Sequence, residues 1–107
     1  MKLIALAFAT ALLAAGTVAA QEPQALLQKY SCTICHANEE AGAGPAFVDI
    51  AEKYKGNPKA AAILRAEIKK GTHGSGPWHM PPHPEVTNAD AEAMAQYILS
   101  LPPNRRT

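Results

Sequence analysis

The chain has 107 residues with 10 basic against 9 acidic ones, and only two cysteines. That length holds one small domain, and so even a charge balance with no basic run excludes nucleic acid or an anionic membrane surface as its main partner. Two cysteines cannot build a multi-bridge disulfide scaffold.

The first twenty residues stand apart. Lys2, an apolar run from Leu3 to Ala15 and the small-residue end Val18-Ala19-Ala20 form the pattern of a cleavable secretory signal peptide. Cleavage after Ala20 leaves residues 21–107 as the working domain, exported to the periplasm and with no stable membrane insertion, since the apolar core is short for a span. The cut removes Lys2 and no acidic residue, so residues 21–107 carry no formal net charge. A domain of this size buries only about 60 to 65% of its unfolded surface, so its core needs an additional staple.

From Pro23 to about His36, the residues Leu26, Leu27, Tyr30 and Ile34 fall at helical spacing, with Pro23 suited to a first turn. This predicts a helix whose C-terminal end carries Cys32-Thr33-Ile34-Cys35-His36. Ala41-Gly42-Ala43-Gly44-Pro45 is too rich in breakers for helix or strand and reads as a loop returning beside His36. A short helix is expected over Ala46 to Lys55, ended by Gly56. The next begins at Asn57-Pro58, buries Ala60, Ala61, Leu64 and Ile68, and stops at Gly71 after Lys69 and Lys70. Thr72 to Pro84 is a loop broken by prolines and glycines. The last helix starts at Thr87, with Asp90 three positions on, and runs to about Ser100; Met94, Tyr97, Ile98 and Leu101 form its apolar face. No strand is predicted, so the fold is all-α, about four helices around a flat cofactor.

Cys32-Thr33-Ile34-Cys35-His36 is the attachment pattern of one covalent haem c. Residues at i and i+3 share a helix face, so both thiols reach one edge of a planar macrocycle and His36 comes beneath its iron. Taken alone, the CxxC pair also fits a thioredoxin-like redox centre, half a zinc site or a small disulfide, but the first needs a βαβ context and the second needs further ligands. For the opposite face of the iron the candidates are Met80, Met94, His73, His79 and His83. Met94 sits in an apolar helical stripe, where methionine usually fills core. Met80 stands before Pro81-Pro82, which stiffen the backbone and suit it to hold a weak iron–sulfur bond.

With Gly44-Pro45-Ala46-Phe47, Gly74-Ser75-Gly76-Pro77-Trp78, Met80-Pro81-Pro82 and Tyr97-Ile98-Leu99-Ser100-Leu101 following the motif in order, the chain resembles the small class I cytochromes c of the bacterial c551 type. The resemblance implies the cytochrome c fold, His36 and Met80 as metal ligands, the Pro45 carbonyl as partner of the His36 ring, and Trp78 at the haem edge. One departure is that only His79 separates Trp78 from Met80, where relatives place several residues. The reading is of a soluble, monomeric periplasmic electron-transfer protein, not an enzyme, that meets redox partner proteins (reductases, oxidases or dehydrogenases). The alternatives are a dedicated subunit of a periplasmic dehydrogenase or oxidase, and a gas- or peroxide-binding haem sensor or enzyme. The expected docking patch is apolar: Thr33, Ile34 and Ala37 with Pro81, Pro82 and His83.

Overall fold

In the computed structural model, which describes residues 2–12, 21–73 and 79–104, residues 2–12 form no regular secondary structure. The side chains of Leu3, Ile4, Leu6, Phe8 and Leu12 are exposed there and join no core. Ordered packing starts at α1 (Pro23–Lys29), with proline in the first turn and Leu26 and Leu27 buried.

The structure corrects the expected length of this helix. It ends at Lys29, and the cysteine motif forms a separate 3-10 turn, Cys32–Ile34. The break is at Ser31, whose φ of 60° lies in the left-handed region and cannot continue an α-helix. The change tightens the geometry that the motif needs, because side chains at i and i+3 eclipse in a 3-10 turn.

The segment after the motif is tied down largely through its backbone. The Gly44 N–H donates to the Cys35 carbonyl across 2.8 Å, closing the Ala41–Gly44 loop back onto the motif. The Ala37 and Asn38 carbonyls accept from the Phe47 and Val48 N–H groups at 2.9 and 3.0 Å. Those two amides belong to the first turn of α2 (Phe47–Lys53), which has no side-chain cap. Helix starts leave such donors without intrahelical partners, and here the chain beside the motif supplies the acceptors.

α2 is shorter at both ends than the sequence suggests; Tyr54 to Gly56 form a turn in which Gly56 takes φ 77°. α3 (Ala60–Lys70) starts later than Asn57-Pro58, after a turn in which the Asn57 side chain accepts the Lys59 N–H across 2.9 Å. It buries Ala60, Leu64 and Ile68 and ends at Gly71, φ 76°. α4 (Asn88–Leu99) lies within a residue of the expected limits, and the Thr87 hydroxyl caps it by accepting the Asp90 N–H at 3.1 Å.

α4 packs against α1, α2 and α3. Ala91, Met94, Ala95 and Ile98 fill the middle of the core with Leu26, Leu27, Phe47, Leu64, Ile68 and Val86. The hydroxyl of Tyr30, the residue that follows α1, donates to the Asp90 carboxylate of α4 across 2.5 Å. Among the described residues there is no strand, only an isolated bridge between His36 and Ala41. The architecture is all-α.

Candidate functional site

Cys32 and Cys35 sit half-buried on the 3-10 turn, and Cys32 packs against the main core. The Cys32 Sγ–H points to the Tyr30 carbonyl at 3.9 Å, and burial pushes this thiol up from its ordinary pKa. Among the described residues no three His, Cys, Asp or Glu side chains gather into a metal-ion cluster. The zinc reading of the cysteine pair therefore finds no further ligands there. The thioredoxin-like reading finds no strand among the described residues to build on.

His36 is held from three sides. Its Nδ1 lies 2.7 Å from the Pro45 carbonyl, which can only accept, so Nδ1 carries a proton and, in the neutral ring, the lone pair is on Nε2. The Phe47 ring stacks on the imidazole with centroids 5.0 Å apart and planes 18° from parallel. Gly44 lies against the ring on a third side, where any side chain would collide. From α4, the Tyr97 hydroxyl accepts from Gln24 at 2.9 Å and Asn38 at 3.3 Å, linking the segment after the motif to α1.

Across the core, Met80 is partly buried against the same cluster that Cys32 touches. Met94 is completely buried in the middle of α4. His73 and His79 are exposed, and His83 pairs with Glu85 at 3.2 Å. Trp78, with Gly74 to Pro77, lies outside the described residues, as does the expected cleavage point at Ala20. Sequence reasoning missed Gly71 and Thr72 as neighbours of Met80; Pro81 and Pro82 leave few backbone donors in that segment, which signals a need for outside support but not its source.

Residues 20–102 match the family model of cytochrome c. The chain belongs to the cytochrome c family. It is 45% identical over 94 residues to cytochrome c-552 of Nitrosomonas europaea, spanning 87% of this chain and 89% of that protein. To cytochrome c-551 of Pseudomonas aeruginosa it is 39% identical over 95 residues, 83% and 90% of the two chains. The crystal structure of wild-type Nitrosomonas europaea cytochrome c552 superposes with TM-score 0.71 at 42% identity, covering 74% of this chain and 99% of that one.

This cytochrome is therefore a small class I c-type cytochrome that takes one covalently attached haem c, with Cys32 and Cys35 as its only thiols. The donor set fits that group. Two thiols share one face of a tight turn, and the next residue offers an imidazole with one nitrogen already committed. No described helix is long and apolar enough to cross a membrane.

Proposed function

We propose that this cytochrome is a soluble, monomeric electron carrier of the periplasm whose haem iron is held between His36 and Met80. The observation that carries the reading is the His36 Nδ1 to Pro45 hydrogen bond of 2.7 Å, which fixes the ring and leaves Nε2 as the basic nitrogen. Met80 is preferred to Met94 because every face of Met94 is already covered by protein, while the Met80 side chain is only partly covered.

The haem supplies one-electron chemistry, with iron alternating between Fe(II) and Fe(III). Cys32 and Cys35 would tether it and His36 and Met80 would hold its iron, where a thioether favours the reduced state relative to a second imidazole. With both ligands supplied by side chains, the iron would offer no position to a substrate, which supports a carrier over an enzyme. Phe47, Gly44 and Pro45 keep the His36 ring in one orientation through the change of charge.

The exposed apolar stretch after Lys2, which contributes to no core, supports reading residues 1–20 as a removable export signal. Ile34 is 79% exposed beside the motif, which supports an apolar contact patch with Thr33, Ala37, Pro81, Pro82 and His83 for redox partner proteins. The deciding experiment is the optical spectrum of oxidised Met80→Ala. It is expected to lack the weak iron–thioether absorption band and to bind added azide; a band unchanged from the wild type would remove Met80 as ligand.

A further inference from the structure

The segment that carries Met80 is mounted on the C-terminal end of α3. Pro81 and Pro82 have no N–H, so the four residues 80–83 possess only two backbone donors, on Met80 and His83. Both are spent on the same support. The Met80 N–H donates to the Thr72 hydroxyl across 2.9 Å, and the His83 N–H donates to the Ile68 carbonyl across 3.0 Å. In return the Thr72 N–H donates to the Met80 carbonyl across 3.0 Å.

Thr72 therefore holds both peptide groups that flank the Met80 Cα, one by its side chain and one by its backbone. Fixing those two planes fixes the direction of the Met80 Cβ, which leaves only side-chain torsions to place the sulfur. Gly71 makes the close approach possible. A Cβ there would come 2.6 Å from the Met80 carbonyl oxygen and 2.9 Å from the Pro82 nitrogen, and its φ of 76° suits glycine.

We propose that Thr72 is the positioning residue for the methionine ligand, its hydroxyl acting with Gly71 to keep the Met80 sulfur closed on the iron. The inference rests on Met80 being that ligand. A threonine that only finished α3 would affect stability; one that positions Met80 also sets how often the iron–sulfur bond opens. External ligands read that opening directly, because their apparent affinity scales with the open fraction.

The test uses oxidised holoprotein titrated with imidazole, with the thioether band followed in parallel. Thr72→Val keeps the shape and removes the hydroxyl, leaving the Met80 N–H without its acceptor. It is expected to bind imidazole about five- to tenfold more tightly, the factor for losing a hydrogen bond of ordinary net strength. Thr72→Ser restores the oxygen and is expected to stay within about twofold of the wild type, well inside that factor. Thr72→Val matching the wild type, or Thr72→Ser as altered as Thr72→Val, overturns the proposal. Met80→Ala separates the two levels: loss of its band with no effect of Thr72→Val removes the positioning role alone, whereas a band retained in Met80→Ala removes both. Should Thr72→Val not fold, amide exchange of the wild-type holoprotein decides. A protected Met80 N–H supports the clamp, and exchange at the rate of an open amide overturns it.

Discussion

Gly44 lies flat against the His36 imidazole, so that a Cβ in its place would overlap the ring carbon Cε1 and come 2.7 and 2.8 Å from the two ring nitrogens. The loop that returns from Ala41 thus uses its lack of a side chain to bring backbone against the ring. Gly44→Ala must push the imidazole away from the Pro45 carbonyl or open the loop from Cys35, either of which moves Nε2. We expect a loss of about 1 to 3 kcal/mol in stability, as for other overpacked sites, together with an altered haem spectrum. Gly56→Ala is the comparison: nothing lies within 4 Å of its Cβ, so it is expected to pay about 1 kcal/mol for its positive φ and leave the spectrum alone. Equal spectral shifts in both variants would contradict the contact.

Met94 is a core residue by its surroundings, in contact with the clusters from α1 and α3 and with no exposed surface. Met94→Leu nearly conserves volume and is expected to cost under about 1.5 kcal/mol in denaturant titration, with the thioether band intact. Met94→Ala leaves a cavity and is expected to cost about 2 to 5 kcal/mol. Loss of the band in Met94→Leu would mean that the ligand is on α4.

Glu85 is held below the ordinary carboxylate range, first by its own backbone N–H and then by the His83 side chain at 3.2 Å. A depressed folded-state pKa contributes stability that is fully present above the unfolded value of about 4.3 and is lost as pH falls through the folded value. Glu85→Gln is therefore expected to be less stable than the wild type at neutral pH, by a small amount because the group is exposed, and to equal it in strong acid. Chemical denaturation at a series of pH values reads the difference; a gap that widens in acid would contradict the sign.

Ile34 projects from the 3-10 turn beside the two cysteines, 79% exposed. With residues 21–107 carrying no formal net charge, long-range steering is weak, and contact should depend on apolar area. Ile34→Lys is expected to slow electron transfer to a redox partner while leaving the optical spectrum unchanged. A wild-type rate that drops by orders of magnitude as salt is raised would assign docking to charge instead.

The sequence made α4 legible almost to the residue, because its start depends on local chemistry: a threonine hydroxyl reaching the Asp90 amide and an apolar repeat behind it. The cysteine motif, its histidine and Pro45 were legible through spacing and resemblance. The break at Ser31 was not, since serine gives no signal for a positive φ. Nor were the supports of the site: the amides of α2 on the Ala37 and Asn38 carbonyls, and Met80 on Thr72. The first run through backbone groups that every residue possesses, and the Thr72 hydroxyl that accepts the Met80 N–H has nothing in the local pattern to pair it with a residue across the loop. Gly71 read simply as a helix stop, although it is also the gap into which the Met80 carbonyl fits.

The Tyr30 to Asp90 hydrogen bond joins residues 60 positions apart, and it sits where α1 meets α4. The helix that leads into the cysteine motif thus finds its cover in the last of the described helices, with the whole intervening chain looped out. Closing so long a loop costs chain entropy that has to be met before the contacts that reward it are made. Until α4 joins, the motif is therefore displayed on an open chain, and the body shuts behind it only when that helix arrives. Before that closure, Cys32 and Cys35 stand on a core that still lacks its last wall, so the side from which a bulky planar group must reach both thiols is open.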